Sequence, residues 1–203
     1  MAASYVVTGG GRGVGRALTE RLAGPADTVV VIELDEAAVA WTAGRPNVVA
    51  VTGDAADPSV TERAAALASE AAPLRGWVNN AAVFRDLALA DAPAAAVLDA
   101  IVANLALAVV GCATAVRRFR AAGTGGAIVN VSSHQAQRAV PGALPYATAK
   151  AATEGLTRAA AVDHGPAGIR VNAVALGSIR TERYDAHLGG QPALNAYSAL
   201  FPA

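Results

Sequence analysis

Short runs of β-branched and other apolar residues alternate along this chain with alanine-rich stretches that have a helical period. The runs cover residues 5–7, 28–32, 48–52, 77–78, 128–131 and 169–174. The stretches between them cover residues 13–23, 35–42, 57–71, 93–122 and 145–164. Strands that alternate with helices of this length are typical of βαβ units. The pattern therefore predicts an α/β fold in a single domain over residues 1–203, with a six-stranded parallel sheet and helices on both faces.

The composition excludes several classes of protein. Of the 203 residues, 54% are hydrophobic and 16% are charged, which excludes a disordered chain. Cys112 is the only cysteine, so the chain is not a disulfide scaffold. A formal net charge of +0 provides no basic footprint for nucleic acid. We expect no metal site, because Cys112 has no partner nearby and the histidines, His134, His164 and His187, are far apart in the sequence.

The longest uncharged stretch covers residues 100–116. A membrane span needs about 20 apolar residues, and Asn104 interrupts this shorter stretch. Although the mean hydropathy of the chain is +0.37, the stretch predicts a buried helix or a subunit-interface helix rather than a span. Cys112, on the same stretch, is expected to be a small buried hydrophobe. Because residues 1–4 contain no basic leader region, we expect a cytoplasmic protein with no membrane partner.

A glycine-rich turn follows the first predicted strand. It reads Thr8-Gly9-Gly10-Gly11-Arg12-Gly13-Val14-Gly15, and a predicted helix begins within it. Such a turn lets the backbone N–H groups at a helix N-terminus approach a pyrophosphate, where the helix dipole favours negative charge. A flexible turn with no ligand would have the same composition, so the motif needs support from other residues.

An acidic residue after the second predicted strand gives that support. Glu33 lies close to the position, about 20 residues after the glycines, where dinucleotide-binding folds place the carboxylate that binds the adenosine ribose. Asp35 is the alternative, but its position before Glu36 fits a helix N-cap better. A carboxylate at Glu33 would accept a hydrogen bond from the 2′-hydroxyl and repel a 2′-phosphate, so NAD is favoured as the cofactor. Arg12 argues for NADP, because a guanidinium in the turn could pair with that phosphate.

Lysine occurs once among the 16 basic residues, at Lys150, four positions after Tyr146. On a helix this spacing places the phenol and the ammonium side by side. At about 4 Å and an effective dielectric constant near 20, a phenolate and an ammonium attract by up to about 4 kcal/mol. That corresponds to roughly three pKa units, enough to make a tyrosine a general acid/base near neutral pH. Upstream, Ser133 ends a predicted strand and could hydrogen-bond the reacting oxygen, or it could be a solvated turn serine.

Taken together, these motifs resemble the short-chain dehydrogenase/reductase family, in its branch of single-domain enzymes, over most of the chain. The glycine spacing, Ser133 and the Tyr146/Lys150 pair match that family's pattern. Further matches are Asp54-Ala55, Asn79-Asn80-Ala81-Ala82, Asn104, Arg170-Val171-Asn172-Ala173-Val174 and Gly177-Ser178-Ile179-Arg180-Thr181. Two positions depart from it, since Ala82 replaces a glycine and Leu176 a proline. The resemblance implies a Rossmann-like doubly wound sheet with the strand order 3-2-1-4-5-6.

The resemblance also implies a function. A secondary alcohol and its ketone would be interconverted by hydride transfer at nicotinamide C4, with Tyr146 as general acid/base. Lys150 would lower the Tyr146 pKa and bind the nicotinamide ribose, Ser133 would orient the substrate oxygen, and Asn104 would hold a relay water. The cofactor would be held by Tyr146 and Lys150 together with Gly9, Arg12, Gly13, Val14, Gly15, Glu33, Asp54, Ala55, Asn80, Ala81, Gly177, Ile179 and Thr181. A homodimer or homotetramer that buries residues 100–116 would fit the family.

Two alternatives to a dehydrogenase stay open, namely an inactive relative that binds the dinucleotide as a sensor or scaffold, and an enzyme that isomerises or dehydrates its substrate. Nothing in the sequence identifies the substrate, although the abundance of Ala, Leu and Val suggests a small or apolar one. The residues that select it would lie in the segments 83–96, 134–144 and 181–203. We expect His134 to be a solvated loop residue rather than part of the substrate pocket, and Trp41 and Trp77 to lie in the core.

The length itself carries an expectation. Members of the family usually continue through another helix and a seventh strand, which close the substrate pocket, whereas this sequence ends at Ala203. The alternatives are a genuine short form and a sequence cut at its C-terminus, of which we favour the second. Residues 181–203 would then be the substrate-loop region.

Overall fold

A computed structural model describes residues 2–181 of the chain. Its centre is a parallel sheet of six strands in the order β3-β2-β1-β4-β5-β6. This result confirms both the α/β class and the strand order expected from the sequence. The predicted segment 181–203 lies outside the described residues, apart from Thr181. The strands are β1 Ser4–Thr8, β2 Thr28–Glu33, β3 Val48–Thr52, β4 Leu74–Asn79, β5 Gly126–Ser133 and β6 Ile169–Leu176.

The central strands are buried on both faces. Val29, Val30 and Val31 follow one another along β2, and none of them has any exposed surface. A continuous β-branched run of this kind suits a parallel sheet that helices cover on both sides. The chain order reverses between β1 and β4, which are hydrogen-bonded neighbours. In open parallel sheets, ligands bind outside the carboxyl ends of the strands at such a switch point.

Within residues 2–181, four α-helices flank the sheet, and their bounds differ from the predicted ones by at most one residue. One predicted helix needs correction, because residues Glu36–Thr42 form a 3-10 helix rather than an α-helix. Its N-cap is Asp35, whose side chain accepts from the Ala37 N–H, so the N-cap prediction for Asp35 is confirmed. The α-helices are α1 Gly13–Leu22, α2 Pro58–Ala71, α3 Ala94–Ala122 and α4 Leu144–His164; two further 3-10 helices are His134–Ala136 and Gly165–Ala167.

Helix α3 is long and apolar enough to cross a membrane by length and composition alone, with 39% of its most apolar window buried. One face of the helix packs into the core through residues such as Leu107 and Phe119. Cys112, also on that face, is 4% exposed, which confirms its predicted burial. The opposite face carries exposed apolar side chains, among them Leu98 and Val102. The helix is therefore a core element with a second, uncovered apolar face.

A buried layer of amide side chains joins the strands beneath the carboxyl edge of the sheet. Asn79 on β4 donates from Nδ2 to Asn130 Oδ1 on β5 at 2.8 Å, and Asn130 Nδ2 donates to Thr157 Oγ1 on α4 at 2.9 Å. The indole of Trp77, which has no exposed surface, donates to Asn79 Oδ1 at 2.8 Å. Trp77 thus lies in the core, as predicted, and these bonds fix β4, β5 and α4 relative to one another.

Candidate active site

The glycine-rich turn connects β1 to α1, and at two of its glycines a Cβ would collide with backbone. Gly9 has a φ of 64°, and a Cβ there would lie 2.8 Å from the Ala81 Cα. A Cβ on Gly15 would lie 2.0 Å from the Gly9 carbonyl oxygen. Arg12, at the N-cap of α1, makes no side-chain capping bond. Since no N-cap side chain occupies them, the backbone N–H groups of the first helical turn can bind an anion such as a pyrophosphate.

The segment after β4 is tied directly to this turn. Thr8 Oγ1, at the end of β1, accepts from the N–H groups of Asn80 and Ala81, each at 3.0 Å. The Asn80 side chain donates to the Gly9 carbonyl oxygen at 2.9 Å. The structure therefore brings the predicted Gly9, Asn80 and Ala81 together at the switch point of the sheet. Thr8 is not among the predicted site residues, although its position at the end of a strand, directly before the glycines, could have indicated this role.

Glu33 ends β2 and closes the other side of the turn. Its Oε2 accepts from the Gly11 N–H at 3.0 Å, and its Oε1 accepts from the Leu34 N–H at 2.9 Å. A Cβ on Gly11 would lie 2.8 Å from Glu33 Oε2, so this close approach needs glycine. The carboxylate thus stands beside the turn at the edge where an adenosine ribose would lie. The sequence does not single out Gly11 as the residue that donates to Glu33, because any of three consecutive glycines could take that position.

Two further predicted residues follow β3. Asp54 Oδ1 accepts from the Ala56 N–H at 2.8 Å, and Ala55 is 5% exposed. The end of β3 is linked to that of β2, since the Gly53 N–H donates to the Glu33 carbonyl oxygen at 2.9 Å. The structure therefore places Asp54 and Ala55 at the same edge of the sheet as Glu33.

Tyr146 and Lys150 lie on one face of α4, as their spacing predicts. The Lys150 Nζ is 5.4 Å from the centre of the Tyr146 ring. Lys150 is only 6% exposed, and its Nζ donates to the Val131 carbonyl oxygen of β5 at 2.7 Å. Burial lowers the pKa of this lysine to about 8. The ammonium is thus fixed between α4 and β5, close to the phenol.

The other predicted side chains come from the ends of β5 and β6. Ser133 ends β5, is 7% exposed and accepts from the Gln135 N–H at 3.2 Å, so it is not a solvated turn serine. In the sheet register Ser133 is paired with Leu176, directly before the predicted Gly177. His134 is partly buried rather than solvated, and its Nδ1 lies 3.3 Å from the Leu176 carbonyl oxygen. Gly177, Ile179 and Thr181 follow β6 at this edge.

Asn104 has a different contact from the expected one. Its Oδ1 accepts from the Val83 N–H at 2.9 Å, and its Nδ2 donates to the Val83 carbonyl oxygen at 2.7 Å. The side chain therefore holds the loop after β4. Its expected role of binding a relay water stays a prediction. The next residue of that loop, Phe84, stacks on Tyr146 with the ring centres 4.7 Å apart. Nothing in the sequence indicates this contact beyond the presence of an aromatic residue in the segment 83–96.

The family model described as short chain dehydrogenase matches residues 4–188. The chain belongs to the short-chain dehydrogenase/reductase family. Among its relatives, the short-chain reductase protein NovJ of Streptomyces niveus is 36% identical over 190 residues, which are 89% of this chain and 70% of NovJ. Levodione reductase of Leifsonia aquatica is 32% identical over 185 residues, 87% of this chain and 69% of the reductase.

The fold of a solved family member agrees with these matches. A short-chain type dehydrogenase/reductase from Mycobacterium ulcerans superimposes with a TM-score of 0.87 at 23% identity, over 99% of this chain and 76% of that one. Membership of the short-chain dehydrogenase/reductase family makes this chain an NAD(P)-dependent oxidoreductase that acts on CH–OH donors. A nicotinamide dinucleotide fits the residues present, because the turn is shaped by glycines at which a Cβ would collide with backbone.

Proposed function

We propose that this enzyme interconverts a secondary alcohol and its ketone, with NAD as the favoured cofactor and Tyr146 as the general acid/base. The bound dinucleotide supplies or accepts the hydride. The observation that carries the proposal is the buried Lys150 ammonium, 5.4 Å from the centre of the Tyr146 ring. A cation held next to a phenol favours the phenolate, so the same side chain can give a proton to a ketone or take one from an alcohol.

Lys150 is suited to favouring the Tyr146 phenolate because it keeps its charge near neutral pH. With a pKa of about 8, about nine-tenths of the side chains carry a proton at pH 7. The hydrogen bond to Val131 fixes one of its three N–H donors and leaves two for other partners. We propose that these donors hold the hydroxyl groups of the nicotinamide ribose.

Ser133 and Asn104 have supporting roles in the proposal. Ser133 would donate to the substrate oxygen and stabilise its developing charge, since it ends β5 near the edge from which Gly177 also emerges. Asn104 would keep Phe84 stacked on Tyr146 through its two bonds to Val83, in addition to holding a water on the proton path. The nicotinamide would be held by Gly177, Ile179 and Thr181.

The preference for NAD rests on Glu33. Its carboxylate lies at the end of β2 beside the glycine-rich turn, where it can accept a bond from each hydroxyl of the adenosine ribose. A 2′-phosphate at that place would meet a negative charge. Gly9, Gly13, Val14 and Gly15 would hold the pyrophosphate. Asp54, Ala55, Asn80 and Ala81 would line the adenosine side.

The experiment compares the wild-type enzyme with Tyr146→Phe, using Tyr5→Phe on β1 as the matched control. Turnover is followed by NADH fluorescence against a panel of alcohols and ketones, and NADH binding is measured separately. We expect Tyr146→Phe to lose turnover by at least about a hundredfold, the usual contribution of a general acid/base, and to keep NADH binding. Tyr5→Phe should behave as the wild type.

Other outcomes would separate the alternatives. A wild-type protein that binds NADH and converts nothing on the panel would be a sensor or scaffold. Loss of substrate without any net change in NADH would indicate isomerisation or dehydration. Full activity in Tyr146→Phe would refute the role of the phenol.

We also propose that α3 forms a subunit interface in a homodimer or homotetramer. Leu98 and Val102 are 60% and 59% exposed and lie one helical turn apart, with Val109 further along at 41%. An uncovered apolar face on a helix whose residues 100–116 are also uncharged suits a self-complementary interface. Light scattering at micromolar concentration should find an oligomer, and a monomer would contradict the proposal.

A further inference from the structure

A pocket of about 310 Å³ opens between the glycine-rich turn and the segment that follows β2. Two bonds locate it next to the place proposed for the adenosine ribose. The Gly11 N–H donates to Glu33, and the Gly11 carbonyl oxygen accepts from Trp41 Nε1 at 3.1 Å. Trp41 is partly buried: it packs against the core cluster that contains Val31 and Val39, and it also forms a wall of this pocket, so its predicted place in the core is confirmed only in part. The lining residues are Gly11, Arg12, Arg16, Ala37, Ala38 and Trp41.

A guanidinium in this pocket could bind a phosphate on the ribose, but Arg12 is already paired with a carboxylate. Arg12 Nη2 forms an ion pair with Asp35 Oδ2. The other carboxylate oxygen of Asp35 accepts from the Ala37 N–H at 3.0 Å. Since the backbone fixes Asp35 as an N-cap, this carboxylate is held at the mouth of the pocket and keeps the guanidinium beside it.

The second arginine of the pocket is paired as well. Arg16 Nε lies 3.3 Å from Glu20 Oε1, and Arg45 Nη2 lies at the same distance from that oxygen. Both guanidiniums lie over the Trp41 ring, at 4.9 and 5.0 Å from its centre. Arg12 is thus paired with Asp35, and Arg16 and Arg45 share Glu20. The Glu33 carboxylate, which bonds to backbone N–H groups, is a third negative charge beside these three guanidiniums. A phosphate dianion entering here would find no excess of positive charge.

We propose that Asp35 is a second determinant of cofactor choice, acting by holding Arg12 away from a 2′-phosphate. This inference rests on the proposed function, in which Glu33 binds the ribose hydroxyls. NAD needs only hydrogen-bond acceptors at its 2′-hydroxyl, so the ion pair does not hinder it. NADP would have to displace Asp35 from Arg12 and would face two carboxylates at once. The arginine that favours NADP in the sequence is therefore neutralised in the fold.

The test is the variant Asp35→Asn, which removes the charge and retains an oxygen for the N-cap. The matched control is Asp57→Asn, since Asp57 caps α2 in the same way through the Ser59 N–H at 2.8 Å. Because exposed ion pairs contribute little to stability, we expect both variants to fold. Their melting curves check this expectation directly.

Dissociation constants for NADH and NADPH are measured by fluorescence titration of each purified variant. We expect Asp35→Asn to tighten NADPH binding by about tenfold, a change of about 1.4 kcal/mol. NADH binding should stay within about twofold, as should both constants in Asp57→Asn. The double variant Arg12→Ala/Asp35→Asn should lose the gain, because the guanidinium supplies it.

Three results would overturn the inference. One is unchanged NADPH affinity in Asp35→Asn, and another is a gain that persists without Arg12. The third is an equal gain in Asp57→Asn, which would show a general effect of removing negative charge. A wild-type protein that binds neither dinucleotide would refute the proposed function itself, which distinguishes that failure from failure of the inference alone.

Discussion

Replacing Lys150 with methionine should abolish turnover and remove the pH dependence that the buried ammonium gives to the stability of the enzyme. Burial lowers the pKa of Lys150 from 10.5 to about 8 because the charged form is desolvated. Each pKa unit corresponds to 1.36 kcal/mol, so the buried ammonium costs about 3 kcal/mol of folding free energy at neutral pH. Methionine fills a similar volume with an uncharged side chain and removes this cost.

The sign of the pH dependence follows from the proton balance. Below pH 8 the lysine is charged in both the folded and the unfolded state, so the full cost is present. Between pH 8 and 10.5 the folded protein releases the proton while the unfolded chain retains it, and the stability of the wild type rises with pH. From pH 7 to 9.5 the wild type should gain roughly 2 kcal/mol relative to Lys150→Met.

Urea denaturation of both proteins at pH 7 and pH 9.5 measures this gain. The variant leaves the Val131 carbonyl oxygen without its 2.7 Å donor, a loss of about 1–3 kcal/mol that does not depend on pH and cancels in the comparison. Lys150 is the only lysine, so no other lysine titrates in this range, and the N-terminal amino group is common to both proteins and cancels. Repeating the pair in a Tyr146→Phe background removes the nearby phenol. If the difference in unfolding free energy between wild type and variant is equal at both pH values, the buried charge is not what lowers stability.

Two other substitutions probe the site. Phe84→Leu removes the ring that stacks on Tyr146 at 4.7 Å. We expect kcat to fall roughly twofold to tenfold, as a lost aromatic pair of about 0.5–1.5 kcal/mol implies. We also expect KM for bulky ketones to fall, and steady-state kinetics on the ketone panel measure both constants. Gly15→Ala places a Cβ 2.0 Å from a backbone carbonyl oxygen. We expect this variant to lose NADH binding in a fluorescence titration. If it binds NADH with wild-type affinity, the turn is not the pyrophosphate site.

The parts of the site that could be predicted are those fixed by neighbours in the chain. The glycine-rich turn lies between one strand and the helix that follows, so its position in the fold follows from the order of the elements. Tyr146 and Lys150 are neighbours because a helix brings residues four apart onto one face. The same holds for Glu33, since parallel strands end at the same edge of the sheet.

Contacts between distant segments could not be predicted in the same way. Phe84 reaches Tyr146 from a loop after β4, and Trp41 reaches the Gly11 carbonyl oxygen across 30 positions. Neither contact has a characteristic spacing in the sequence, because whole helices and strands lie between the two residues and set the number of positions that separate them. For the same reason the sequence sets Arg12 against Glu33 as opposing signals and indicates only an N-cap at Asp35, whereas the fold joins Arg12 and Asp35 in one ion pair.

The layer beneath the site explains how the fold tolerates a buried ammonium. Asn79 donates to Asn130, and Asn130 donates to Thr157 on α4, so β4, β5 and α4 form one connected unit under the carboxyl edge. Within residues 2–181, the only buried side-chain nitrogen or oxygen that lacks a partner is Gln135 Oε1. A satisfied polar layer of this kind resists rearrangement, so the Val131 carbonyl oxygen stays in place to receive Lys150 and the charge stays beside Tyr146. The desolvation that destabilises the fold is therefore the same feature that keeps the cation close enough to act on the phenol.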